Sequence, residues 1–431
     1  MIMNDRKELN EVQIIYNCRL PERTGLYDVT LRGEHIDQVR PRIIDDEALK
    51  SELEQDLLSN ESKVDAAGRL LIPGLIEPHI HMEKAMLLDR MPKEAASLQE
   101  AIAMTVKLKE GFTKQDMIAR SMDVAYRLSS YGVTTARCHV EVDPVLGLSA
   151  IESLLEVKDR LSDRMDLNIV AFPQEGIYAA PGTAELMKEA VKLGADAVGG
   201  ITYMDPDLDE HLSFVFRLAA EYDLPLDFHA DFSLNPCDRG IMQIVRRTKE
   251  FGYEGRVAAG HVTSLGAMPR EEAVLCAQQI AESGVHIMAL PATDLYMNGR
   301  QDTDNVRRGL TPVRLLLEQG VNVLYGANNI RNAFTPFGTG NVMDIAWLLA
   351  HTAYMGSEKE AKLLVQMGTT LAAQALGISN YNITAGQAAD LALFPVTSER
   401  ELLIERPKPL AVWKNGKRLR PIKRAEDNFY S

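Results

Sequence analysis

The sequence predicts an α/β protein, a (β/α)8 barrel of the TIM type carrying a small β-sandwich built from both ends of the chain. Three observations predict it. Eight apolar, β-rich runs alternate with helical stretches through the middle of the 431 residues, short β-type segments flank that middle, and the polar residues of nearly every run fall at its C-terminal end. Strands alternating with helices require parallel crossovers, and eight of them close naturally into a barrel whose C-terminal rim carries the chemistry. A doubly wound open sheet is the runner-up, but no Gly-rich phosphate loop opens the first βα turn.

The elements follow in order. "EVQIIYNCRL" and "LYDVTLRGEHIDQVRP", with its Gly turn, read as short strands, and "DDEALKSELEQDLLSN" reads as an acidic helical patch. The barrel strands are "LLIPGLIEPHIH", "VTTARCHVEV", "LNIVAFPQEG", "AVGGITYM", "LPLDFHAD", "RVAAGHVTS", "VHIMALPATD" and "VNVLYGANN". Between them "SAIESLLEVKDRLSDRM", "TAELMKEAVKLG" and "HLSFVFRLAAEYD" read as helices. "AADLALFPV" and "PLAVWKNGKRL" complete the sandwich, the latter turning at Asn415-Gly416 in a type I′ hairpin. The expected division is residues 1–68 plus 383–431 for the sandwich and 69–382 for the barrel.

Composition narrows the function class. A net charge of −14 with no Lys/Arg cluster disfavours nucleic acid as a partner. The four cysteines are scattered and form no CxxC pair, so neither a disulfide framework nor a thiolate zinc site is expected. No apolar run is long enough to span a bilayer and no signal core opens the sequence, so a cytoplasmic location with no membrane partner is expected.

The chemistry sits at the strand ends. Alternate residues of a strand share a face, so His79 and His81 point the same way and can hold one ion. His229 is the natural third ligand, and His261 is placed as a base or oxyanion partner behind it. Three imidazoles with an open position bring bound water near neutral pKa. Strand eight, where a carboxylate is expected, ends instead in Asn328 and Asn329, and an amide cannot take up a proton near neutral pH.

Taken together, "PGLIEPHIHMEKA", "VAFPQEG", "FHADF", "GHVTS", "NIRNAFTPFGTGNVMDIAWL" and "GQAADLALF" resemble the amidohydrolase superfamily, in its branch of cytosine deaminase-like and N-isopropylammelide aminohydrolase-like proteins. The resemblance implies one divalent metal ion, zinc or iron, held by His79, His81 and His229, with Asn328 at the corner where the family has an aspartate. It also implies substrate contacts from Gln174, Lys84, Phe334 and Asn329, a role for His261 at the attacked carbon, a small heterocyclic substrate, and room for a homo-oligomer. Phe232 stands where cytosine deaminases carry an acid. Asp231, one place earlier and on the strand face of His229, is the expected substitute, ahead of Glu175 and Asp294.

The first functional reading is therefore a metal-dependent hydrolase removing an amino group from a small N-heterocycle such as a pyrimidine or triazine. The alternative is a catalytically impaired binding or regulatory protein, supported by the loss of carboxylates at positions 328 and 232. A third reading, hydrolysis without metal on the same fold, predicts full activity after chelation.

Overall fold

The computed structural model describes residues 12–42 and 62–421. The acidic segment expected to be helical lies outside the described residues. The strands are β1 (Val12–Cys18), β2 (Tyr27–Arg32), β3 (His35–Pro41), β4 (Lys63–Asp65), β5 (Leu70–Pro73), β6 (Leu75–Ile80), β7 (Val133–Glu141) and β8 (Asp166–Phe172). They continue with β9 (Ala197–Ile201), β10 (Leu226–Ala230), β11 (Val257–His261), β12 (His286–Ala289), β13 (Val323–Tyr325), β14 (Leu391–Phe394), β15 (Ala411–Lys414) and β16 (Lys417–Arg418).

β6 to β13 lie side by side in sequence order as one eight-stranded parallel sheet. The ends of that sheet meet: Ile80 bridges Asn328, with Asn328 N donating to His79 O at 2.8 Å and His81 N donating to Asn328 O at 2.9 Å. The barrel predicted from the eight runs is thus formed.

Strand alternation sorts the side chains. On β7, Ala136, Cys138 and Val140 join the apolar core shared with the surrounding helices, while Arg137, His139 and Glu141 take the opposite face. On β10, Leu226, Phe228 and Ala230 face the helices, and Asp227 and His229 point inward. The helices answer with amphipathic spacing. Ser149–Arg160 buries Ala150, Ile151, Leu154 and Val157 along one stripe. Thr183–Leu193 ends at Gly194, whose φ of 116° suits a residue without a Cβ.

The run "LLIPGLIEPHIH", read as a single barrel strand, is two. β5 pairs antiparallel with β14 in the terminal sheet, and only β6 enters the barrel. Gly74 is the joint, and a Cβ there would strike the Thr134 side chain. The terminal strands form two sheets, ordered β3-β2-β1-β4 and β16-β15-β14-β5, over one shared core of Ile15, Val29, Leu31, Leu71, Leu391, Leu393 and Trp413. The β15–β16 turn has Asn415 at φ 48° and Gly416 at φ 72°, the pair of positive values a type I′ turn requires. No helix among the described residues is long and apolar enough to cross a membrane.

Candidate metal centre

β6 and β10 aim three imidazoles at one point inside the barrel mouth. His229 Nε2 lies 3.2 Å from His79 Nε2 and 3.1 Å from His81 Nε2, and all three rings are buried. His81 Nδ1 donates to the His139 carbonyl at 3.0 Å, which leaves its Nε2 with a free lone pair. Burial above all, reinforced by the neighbouring imidazoles and, at His79 and His81, by Lys84, holds His79, His81 and His229 well below the usual histidine range, so they stand neutral at pH 7.

Neutral nitrogens at this spacing fit a cation. Imidazole nitrogens about 2.0–2.1 Å from zinc stand about 3.3 Å apart at tetrahedral angles and about 2.9 Å apart at right angles. The two separations from His229, 3.2 and 3.1 Å, fall between these limits. The Asn328 Oδ1, buried and without a hydrogen-bond partner among the described residues, supplies a further neutral oxygen.

Beneath this cluster lies another that sequence reasoning missed. Asp227 sets Oδ1 3.0 Å from His139 Nε2 and 4.0 Å from His79 Nδ1, while its Oδ2 accepts from Arg137 Nη1 at 3.1 Å. The guanidinium holds one carboxylate oxygen, and the other faces the rings behind the cluster. The signal was the D-x-H spacing of 227 and 229 on one strand face. Glu77, fully buried, accepts from the backbone N–H groups of His79 and Ala327, each at 3.1 Å, and ties the first strand to the last. Burial pushes its carboxyl up to about 8.

Lys84 donates to Glu141 Oε1 at 2.5 Å and to Gln174 Oε1 at 2.9 Å, and its ammonium lies 4.9 Å from the Phe334 ring centroid. Behind it the ammonium of Lys109 fills a cage of Glu141, Asp143 and Glu175 at 2.7, 2.9 and 2.8 Å. Burial, then Glu141, raises the Glu175 carboxyl to about 7. That cage has the look of a metal site, but a lysine already occupies it.

Asp231 is corrected by the structure. Its Oδ1 accepts from Gly240 N at 2.9 Å and Thr202 Oγ1 at 3.0 Å, and its Oδ2 accepts from Ile241 N at 2.9 Å. It therefore caps the helix Gly240–Phe251 and does not face the imidazoles. The expectation from strand alternation failed because β10 ends at Ala230 and Asp231 turns into the left-handed region at φ 48°. That turn swings Phe232 inward instead, where its ring stacks on His261. Asp294 is the carboxylate that reaches the site, its Oδ1 2.6 Å from His261 Nδ1. Asp231, His261 and Asn328 all have positive φ, at 48°, 69° and 58°, so strained backbone marks three strand ends of the rim.

The cavity at the cluster is lined by His81, Lys84, Gln174, His229, His261, Asn328, Asn329, Phe334, Leu98, Tyr203, Phe232 and Thr293. The expected metal and substrate residues thus come together, apart from His79, which lies deeper. The free space is only about 10 Å³, room for about one water. Phe232 and Phe334 belong to an apolar cluster with Ala101, Ile102 and Met104 of the helix Leu98–Lys109, which closes the mouth.

A family model described as the amidohydrolase family matches residues 122–420. The chain belongs to this family. It is 28% identical over 413 residues to the N-isopropylammelide isopropyl amidohydrolase of Pseudomonas sp. (strain ADP), covering 94% of this chain and 96% of that protein. It is 25% identical over 360 residues to a pterin deaminase of Rhizobium rhizogenes, covering 83% and 82%. The crystal structure of 5-methylcytosine deaminase from Klebsiella pneumoniae liganded with 5-fluorocytosine matches with a TM-score of 0.88 at 28% identity, over 96% of this chain and 98% of that one. These matches place the amidohydrolase in the cytosine deaminase and N-isopropylammelide branch. With the fold and the histidine cluster, they make it a hydrolase acting on carbon–nitrogen bonds.

Proposed function

We propose that this amidohydrolase removes an amino or alkylamino group from a small N-heterocycle of the pyrimidine or triazine type. The observation that carries the reading is the convergence of three neutral imidazole nitrogens, with His229 Nε2 3.2 Å from His79 Nε2 and 3.1 Å from His81 Nε2. His79, His81 and His229 would hold a zinc or iron ion, and the Asn328 amide oxygen is available as a further ligand. Bound there, the ion supplies Lewis acidity that activates water.

The chain's own residues do the rest. Gln174 and Lys84 orient the ring, Phe334 and Asn329 shape its surroundings, and the apolar cluster around the helix Leu98–Lys109 excludes water once closed. His261 is the proton carrier: Asp294 accepts from its Nδ1, which leaves Nε2 free toward the cavity. This pair takes the role first sought in Asp231. General acid–base help of this kind is worth about 10²–10⁴ in rate. The names of the amidohydrolase and deaminase relatives support the C–N chemistry.

Release of ammonia or alkylamine from cytosine, pterin and N-isopropylammelide, before and after chelation and with zinc or iron restored, tests the reading. Metal-dependent release from one of them is expected. Release that survives full chelation, or none with stoichiometric metal bound, overturns it. A second reading, a binding protein without turnover, is favoured by the absence of Asp and Glu from the described cavity lining. It predicts a heterocycle held tightly and unchanged.

A further inference from the structure

A second cavity shares no lining residue with the one at the histidines. It holds about 520 Å³, against about 10 Å³ at the cluster, and so falls within the roughly 300–1,000 Å³ of small-molecule sites. The helices Arg270–Glu282, Val313–Glu318 and Val342–Thr352 contribute to its walls together with residues 307–312. Leu265, Pro291, Val313 and Leu349 give it an aliphatic lining, and the described lining contains no His or Cys.

The charge around this cavity runs against that of the chain. Four arginines line it, Arg270, Arg307, Arg308 and Arg314, against one carboxylate, the buried Asp294, in a sequence of net charge −14. Three of them have carboxylate partners outside the lining: Arg270 with Glu318, Arg307 with Asp302 and Arg314 with Glu360. Arg308 has no carboxylate partner among the described residues. Its Nη1 donates at 3.1 Å to both the Thr352 carbonyl and the Tyr354 hydroxyl, and its guanidinium stands 5.2 Å from the Tyr354 ring centroid. Those contacts leave Nε and Nη2 without a protein partner among the described residues. These two N–H groups form one edge of the guanidinium fork, the edge that matches both oxygens of a carboxylate.

The backbone beside Arg308 is pinned. Gly309 O accepts from Asn298 Nδ2 at 2.9 Å, and Gly309 holds a φ of 61° where a Cβ would strike the Asn298 side chain. Thr311 Oγ1 donates to His261 O at 2.5 Å. A guanidinium already held in this way loses little further freedom when an anion joins it.

We propose that this cavity is a binding site for a small organic carboxylate with an apolar body. The carboxylate meets Nε and Nη2 of Arg308, and the body covers the aliphatic lining. The site is separate from the ion cluster and does not depend on the reaction assigned to it.

Calorimetric titration of the purified protein with 2-naphthoate and with 2-naphthamide, which share an apolar body and differ in charge, tests the proposal. 2-Naphthoate is expected to bind once per chain and about tenfold more tightly than the amide, the scale of a charge-assisted hydrogen bond. Arg308 is exposed, so Arg308→Gln, with its fold verified by circular dichroism, should remove that advantage without disturbing the core. Hydrogen exchange locates the ligand: 2-naphthoate should slow the backbone amides of 308–315 and 350–354 and leave those of His81 and Asn329 unchanged. Equal affinities, an unchanged preference in Arg308→Gln, or protection confined to the catalytic mouth overturns the proposal. So does binding of neither compound, as when a second copy of the chain covers the cavity.

Discussion

The phenyl ring of Phe232 lies flat on the imidazole of His261, with centroids 3.9 Å apart and planes 12° from parallel. An apolar lid thus covers one face of the group we assign to proton transfer, while Asp294 holds its Nδ1 edge. Truncating the ring by Phe232→Ala opens a cavity beside His261 and is expected to cost roughly 3–5 kcal/mol in urea unfolding. Phe232→Leu, which keeps most of the apolar cover, should cost clearly less.

Asp231 caps a helix, so its removal should damage stability and spare the proton chemistry. Asp231→Ala is expected to lose roughly 0.5–2 kcal/mol in unfolding experiments. The pH profile of turnover should keep its shape, and a displaced limb would restore Asp231 to the mechanism.

Asn328 tests the ion-binding set from the opposite direction. His79→Ala, His81→Ala and His229→Ala should each leave purified protein without stoichiometric metal. Asn328→Asp adds a negative ligand and is expected to raise the chelator concentration needed for stripping by about tenfold or more. Elemental analysis after dialysis reads both effects.

Lys109 neutralises three carboxylates, and Lys109→Met strands them. Breaking a buried ion network by removing one partner costs about 3–5 kcal/mol. Burial favours the neutral form of Glu141, but Lys109 and then Lys84 outweigh it and hold the carboxyl below its usual range. That contribution is present at neutral pH and lost on acidification. The variant's deficit, measured by unfolding across pH, should therefore be largest near neutrality and shrink as the solution is acidified.

Glu77 gives the opposite slope. Burial raises its carboxyl from 4.5 to about 8 in the folded chain, so its protonated form stabilises fully at low pH and the benefit disappears as pH rises through about 8. Thermal midpoints should fall from about pH 4.5 to about 8 and level off above that, and Glu77→Gln, which still offers an oxygen to the His79 and Ala327 amides, should flatten that fall.

The legible part of this molecule was its periodic part. Strand-and-helix alternation placed all eight barrel strands, and the period of two put His79, His81 and His229 on inward faces because each lies on or next to a regular strand. Asp231 and Phe232 exchanged their expected directions just where φ turned positive, a local backbone choice that one-dimensional patterning does not encode. Glu77, Lys109 and Asp227 are buried ionisable groups whose partners come from as far away as Ala327, and no short spacing announces them. The break between β5 and β6 escaped notice because "LLIPGLIEPHIH" is apolar throughout and only pairing partners divide it.

The barrel is fastened at Ile80 and Asn328, and the flanking residues His79, His81 and Asn328 are those assigned to the ion. A cation held there would act as a clasp across the seam between the first and last strands. Withdrawing it would loosen the join of the cylinder, so the backbone amides of His81 and Asn328 should exchange with deuterium faster in stripped protein, while those on the opposite wall keep their pace.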